Sequence, residues 1–393
     1  MRHESCWVRR GAVLAVCVLA VACGGGGGGS GASPVVPDAP PPATKAEALV
    51  PADADGLLAH VRDRLKASRE GALTAGGANG GPVAAVSIAA PAPTSSGGDA
   101  SGGSASSTVV QEAGVDEDDV VRIDGDTVWA LSPPAPGGQR LSAFRVAAAG
   151  TRLDPVGSVV LDPTMRFDGL YVDAARSRVI AVGQTDWSTA TPMPLAMTAV
   201  PGGAMPSAAA LVFVDASNPA HPRVATQLRF DGGLQASRLA DGRLWLVLRS
   251  QPRFDGFDWS WGAPASNERW LANLSAEAML PTVRVDAQPA RPLIGAGDCL
   301  LQPAAPGGFG TVTSVVAIDV AAPDAKALGR CVATPVDTVY MTRDALYLAT
   351  TRWPAVSGDP RFATTVAVSG EPMTDLHRFV RSADAITYRG SGS

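Results

Sequence analysis

A chain of 393 residues is long enough for one large domain or two ordinary ones, and it can bury a substantial core. It carries 32 basic against 37 acidic residues, net −5, with no basic run, so nucleic acid is not an expected partner. Frequent Gly (43) and Pro (32) with only 18% charged residues fit many short strands joined by turns, and exclude a fold built on long charged helices.

The first element is a targeting segment. Arg2, His3, Arg9 and Arg10 precede "GAVLAVCVLAVA", which is shorter than the ~20 apolar residues a membrane span needs. The run ends in "LAVAC", which resembles the lipobox of bacterial lipoproteins, with Ala20 standing where Leu is commoner. In such a box cleavage precedes the cysteine, and its thiol carries lipid. That resemblance makes residues 1–22 a lipoprotein signal peptide and Cys23 the lipidation site. It implies an exported protein of the bacterial cell envelope, held to the membrane by a lipid anchor. An ordinary secretory signal or an uncleaved anchor is the other reading. Residues 23–44, a Gly run and then a stiffer Pro-rich stretch, suit a tether.

Residues 45–70 predict a helix, with Asp53 or Asp55 as cap and Leu57, Leu58, Val61 and Leu65 at helical spacing. Residues 71–107 are low-complexity and nearly uncharged, a linker expected to have little fixed structure. Residues 108–393 then read as repeated strands. "VVRIDGDTVWAL", "LYVDAARSRVIAVG", "SRLADGRLWLVL" and "TVYMTRDALYLAT" each hold two apolar runs around a short polar turn. Asp124-Gly125 and Asp241-Gly242 are hairpin signals, because Asp and Gly tolerate positive φ. "LVFVDASNPAHP" and "VVAIDVAAPDA" each place Asp four residues before Pro, and Asp215 and Asp319 stand 104 residues apart. Both are expected to bond to their own backbone before the turn. The repeat predicts units of strand, strand, hairpin at about 139–183, 209–250 and 311–351, with a lone hairpin before them and a strand pair after them at 374–389. Short strands that are apolar on both faces need a sheet on either side, as the radial packing of a β-propeller provides. A two-sheet sandwich is the alternative.

"VVQEAGVDEDDVVRIDGDTVWAL" also resembles the opening motif of the bacterial secreted β-propeller domain proteins, distant relatives of the WD-40 propellers. The resemblance runs on through "VDASNPAHPRV", "LADGRLWLVL", "TVTSVVAIDV" and "LHRFVRSADAITYRGSGS". It implies an all-β propeller, partial or of about four four-stranded blades, because in that family the chain continues into further blades. It also leaves two readings of ring closure open: a truncated propeller, or a closed ring in which 374–389 complete the blade begun by 120–131.

Candidates for chemistry are few. Once a signal is removed, the cysteines left beyond Cys23 are Cys299 and Cys331. They form either a disulfide worth roughly 3–4 kcal/mol or two separate buried thiols. Insertions at 184–208, 249–310 and 351–367 follow the last strand of a hairpin, so strand counting puts all three on one face. They carry Trp187, Phe257, Trp259, Trp261, Trp270 and Trp353, which make either a surface for a protein or glycan or a small core beneath their own loops. Strand counting puts Asp116, Glu117, Asp118 and Asp119 on that face too, as a solvated strand entry. Their oxygens suit Ca²⁺, although the run does not fit an EF-hand and no cofactor is expected. No HExxH, CxxC, GxSxG or Walker loop is present, and no catalytic residues are assigned. The sequence therefore reads as a non-catalytic binding module of the envelope. The alternative is an envelope hydrolase with a site in the central channel completed by missing blades.

Overall fold

The computed structural model describes residues 46–76, 112–135, 137–147, 150, 152–185, 207–251, 256–258, 264–303, 310–352, 356–357, 367–368 and 372–393. The chain opens with a short strand β1 (Val50–Pro51), a helix α1 (Ala54–Gly76) and a short strand β2 (Asp116–Glu117). Sheet 1 is β3 (Val121–Asp124), β4 (Thr127–Leu131), β5 (Arg140–Val146) and β6 (Leu153–Val160), side by side in that order. Sheet 2 follows with β7 (Met165–Asp173), β8 (Arg178–Thr185), β9 (Ala208–Asp215) and β10 (Arg223–Asp231).

Sheet 3 begins with the hairpin β11 (Gly233–Ala240) and β12 (Arg243–Ser250). An insertion holding α2 (Pro264–Ala272), β13 (Thr282–Val285), β14 (Arg291–Pro292) and β15 (Cys299–Leu301) precedes its other two strands, β16 (Val312–Asp319) and β17 (Leu328–Val332). Sheet 4 is β18 (Thr338–Met341) and β19 (Ala345–Arg352), then β22 (Met373–Arg381) and β23 (Ile386–Gly392). A small separate pair, β20 (Val356–Ser357) and β21 (Ala367–Val368), lies between them in sequence. Neighbouring strands are antiparallel except β15 and β17.

Each sheet is thus a hairpin followed by the next two strands, which corrects the phase expected from the repeat. The hairpin at 120–131 is not alone, because β4 pairs with β5 from Thr127↔Arg145 to Leu131↔Leu141. The last strand pair belongs with β18–β19, since β19 pairs with β22 from Ala345↔Val380 to Arg352↔Met373. A periodic sequence looks the same in either frame, and the long insertions suggested boundaries between units. They lie inside sheets instead. The links between sheets are short, and the one from β10 to β11 is Gly232 alone. That residue has φ +103°, and a Cβ there would meet the Arg249 carbonyl at 2.8 Å, so the one-residue corner requires glycine.

Burial follows the order of the sheets. β9 and β16 are buried almost throughout, as strands covered on both faces must be. β22 alternates, with Asp375, His377, Phe379 and Arg381 buried and the residues between them exposed or half-exposed. One apolar cluster, with Trp129, Leu141, Phe167 and Val212, joins sheets 1 and 2. A second, with Ile180, Phe213, Leu246 and Val316, joins sheets 2 and 3. A third, with Trp245, Val315, Leu348 and Phe379, joins sheets 3 and 4.

Hydrogen bonds between sheets join like ends. Gln139 donates to the Phe167 carbonyl at the insertion end (2.9 Å), and Arg178 donates to the Val320 carbonyl at the hairpin end (3.0 Å). The insertions therefore leave from one side of the stack, as strand counting expects.

The insertion in sheet 3 thickens two sheets. β13 extends sheet 2 by pairing with β10, and β15 extends sheet 3 beside β17. A disulfide joins Cys299 to Cys331 across that parallel pair, with Cα atoms 4.3 Å apart. β1 then adds to β15, and α1 buries Leu57, Val61 and Leu65 in the cluster between sheets 2 and 3. Asp53 caps α1 by accepting from the Gly56 amide (2.8 Å). No described helix is long and apolar enough to cross a membrane.

Candidate functional site: an acidic thread along the inner strands

The acidic stretch is not a loop on the insertion face, and its acids are half-buried where a solvated strand entry was expected. Residues 112–122 run past the first strand of every sheet in reverse order. Tyr340 of β18 donates to the Glu112 carboxylate. β2 pairs with β11, Glu117 opposite Arg238 and Asp116 opposite Leu239. Asp119 bridges to Leu170 of β7, whose amide donates to the Asp119 carbonyl (2.8 Å). The Val120 carbonyl then accepts from the Leu131 amide, and β3 begins. Because Tyr340 lies near the hairpin end and Leu131 at the insertion end, the thread climbs from one end of the stack to the other. Strand counting locates the start of β3. It says nothing of the chain's approach, which is drawn in by the unpaired edges of β7 and β11.

The acids are half-buried and held by arginines. Arg122 is 3% exposed and donates Nε to the Leu170 carbonyl (2.8 Å), a terminal nitrogen to Asp116 (3.0 Å) and another to the Glu117 carbonyl. Its guanidinium also stands 5.5 Å from the ring centroid of Tyr171. Arg238 pairs with Glu117 at 3.2 Å. Asp118 lies against Gly169, where a Cβ would come within 2.3 Å of its carboxylate. Burial raises the Asp118 pKa, against the opposing pull of its own amide and of Arg238 and Arg122. Burial, and then the charge of Asp118, hold the Tyr171 hydroxyl well above its ordinary pKa, and that hydroxyl bonds to Ser237 (2.9 Å).

The Asp116 and Glu117 carboxylates pair with Arg122 and Arg238, and among the described residues no three or more His, Cys, Asp or Glu side chains gather to hold a metal.

Four sheets sharing an inner edge, each opening on its innermost strand, are the geometry of propeller blades. A family described as "Beta propeller domain" matches residues 105–393. The chain belongs to that family. No curated protein matches the chain. Among solved structures it is similar to an apocarotenoid oxygenase/RPE65 chimera, with TM-score 0.27 and 11% identity over 69% of this chain and 47% of that one. It is also similar to a mutant apocarotenoid oxygenase from Synechocystis, with TM-score 0.23 and 11% identity over 67% of this chain and 46% of that one. The chain spans about half the length of these solved chains.

In this propeller domain the aromatic candidates divide. Phe257 is 6% exposed and meets the half-buried Trp270 edge-on, with centroids 5.4 Å apart. Both belong to or pack against the cluster between blades 2 and 3, so they anchor their own insertion. Asn267 of α2 fixes this anchor, exchanging two hydrogen bonds of 2.7 Å with the Asp258 backbone. Trp187, Trp259, Trp261 and Trp353 lie outside the described residues, as does Cys23.

A second polar cluster went unnoticed in the sequence. Asp375, fully buried in blade 4, takes a two-point contact from Arg352 (2.5 and 2.9 Å) and a bond from Gln302 of blade 3 (2.9 Å). Two residues on, the buried His377 ring bonds to the Thr350 and Ser391 hydroxyls (2.9 and 2.7 Å). The alternation of "TDLHRFVR" placed these side chains on one face, but nothing local named their partners on other strands.

Proposed function

We propose that this β-propeller is a non-catalytic binding module, presenting its insertion-bearing face to a protein or glycan of the bacterial envelope. The observation that carries the reading is the thread: residues 112–122 occupy the inner edges of the blades, the place a channel-bound substrate would need. The chain's own polypeptide fills that position, which counts against a hydrolase with a site on the axis. The strand ends from which the insertions leave lie at one end of the stack. Four tryptophans in them, Trp187, Trp259, Trp261 and Trp353, supply flat apolar area with a polar tip.

We also propose that the protein is exported and lipid-anchored through Cys23, the reading supported by "LAVAC" and the Gly/Pro-rich tether. Replacing Trp259 and Trp261 by Ala should abolish capture of envelope components while leaving the melting temperature unchanged. Full capture by this double variant would sink the binding surface. Cys23→Ala should lose incorporation of a labelled lipid precursor, and unchanged labelling would refute the anchor.

A further inference from the structure

The N-terminal segment is fastened to the propeller through one small strand and the buried face of α1. β1 pairs only with β15, as Val50↔Leu301 and Pro51↔Leu300, and the Ala52 amide donates to the Cys299 carbonyl (3.1 Å). β15 is itself three residues long and meets β17 in two register pairs, Cys299↔Cys331 and Leu300↔Val332. The Ala333 amide adds a bond to the Leu300 carbonyl (2.8 Å), and the disulfide locks the pair covalently. α1 follows directly, with Leu57, Val61 and Leu65 fully buried in the cluster that contains both cysteines. His60 bonds to the Ala333 carbonyl just past Cys331 (3.2 Å), and Arg62 reaches the Leu274 carbonyl beyond the end of α2 (3.2 Å). On blade 4 the segment is held by amide bonds from Glu47 to Asp375 (3.3 Å) and from Leu49 to the Tyr388 hydroxyl (3.0 Å), and by the Leu49 side chain, which is buried in the cluster between blades 3 and 4.

We propose that residues 46–66 are a detachable strap whose seat is locked by the Cys299–Cys331 disulfide, so that reduction releases the strap and uncovers the apolar groove beneath α1. The two cysteines are 1% and 0% exposed, so reduction proceeds through local opening of the short strand β15 and of β1 outside it. A dithiol reductant is the required partner. One of its thiolates attacks a protein sulfur to form a mixed disulfide, and its second thiol displaces that bond. Cys299 and Cys331 then each carry a proton as thiols, and the reductant leaves as a disulfide, two electrons and two protons having moved to the protein. The device works in both directions: strap docking shields the disulfide, and the disulfide holds the strap's seat. It is independent of what the insertion face binds.

The test is hydrogen exchange with peptide mass analysis on the full chain, before and after dithiothreitol, with alkylation to record the state of Cys299 and Cys331. Reduction should raise exchange in 46–66 by about tenfold or more while the peptide covering β7 and β8 is unchanged. Unchanged strap exchange with the thiols free would overturn the proposal, as would a rise across all blades or a disulfide that the reductant cannot open in the folded protein. Leu57→Asp, which unseats α1 and leaves both cysteines in place, should speed reduction by roughly tenfold. An unchanged reduction rate in that variant would overturn it equally.

Discussion

At Gly169 the absence of a side chain decides whether the thread can lie in its place. A Cβ there would stand 2.3 Å from Oδ2 and 2.5 Å from Cβ of Asp118, too close to be relieved by turning the carboxylate alone. Gly169→Ala should therefore destabilise the domain by about 1–3 kcal/mol. Adding Asp118→Gly should recover most of that loss, a coupling that chemical denaturation of both single variants and the double would reveal. His377 makes a pH-dependent contribution. Burial lowers its pKa to about 4, against the opposing charge of Asp375 and with help from Arg352, whereas the unfolded value is about 6.5. Between those values the unfolded chain binds more protons, so stability is full above about pH 6.5 and falls as pH drops towards 4. Melting curves should show this fall, and His377→Gln should flatten it. Some residue-level chemistry was legible in advance. Asp215 accepts from the Ser217 hydroxyl and amide and from Arg223, which together hold its pKa down at about 2, and Asp319 accepts from the Ala321 amide. The turn bonds lie two residues from their aspartate and Arg223 eight from Asp215, so local sequence contains them. Asp375 and His377 draw partners from 14 to 328 residues away, and no window of sequence contains those.

Before β3 the thread has only the two residues of β2 as regular structure, and one side chain holds it above the rest. Arg122 reaches two carbonyls and a carboxylate from a position that the alternation of β3 buries. Replacing it with Met keeps the stem's volume and strands those acceptors, at a cost of about 3–5 kcal/mol. Lys should rescue little, since one ammonium cannot reproduce the fork. Denaturant midpoints of the two variants check both statements. The hairpins were readable for a different reason. Asp241 and Gly242 take φ of 51° and 71°, and Gly125 takes 62°, values those residue types signal by themselves. The frame of the repeat was not readable, because a four-strand period has no marked origin. The inner-edge pairing of β2 was hidden as well, since its partner β11 lies more than 100 residues further on.

At the scale of the whole domain, the sequence distinguishes inner from outer blades. "LVFV" and "VVAI" are apolar without alternation and lie in blades 2 and 3, covered on both sides, whereas "TDLHRFVR" alternates and lies in blade 4. Mutational costs should follow that gradient. Phe213→Ala, in the cluster between blades 2 and 3, should cost about 3–5 kcal/mol. Leu376→Ala, at a position 49% exposed on blade 4, should stay within about 0.5 kcal/mol of the parent. Equal losses at the two sites would contradict this account of the packing. The thread also bears on how the molecule is made. Its contact with blade 4 spans 228 residues, from Glu112 to Tyr340, and that with blade 3 is shorter. The ribosome delivers the thread before any strand it will touch, and delivers its farthest partner last. Blades 1, 2 and 3 can pair from neighbouring sequence as they emerge, but the axis can be filled only after blade 4 has left the exit tunnel. Closing so long a loop is slow, and it makes seating of the thread the late step of folding.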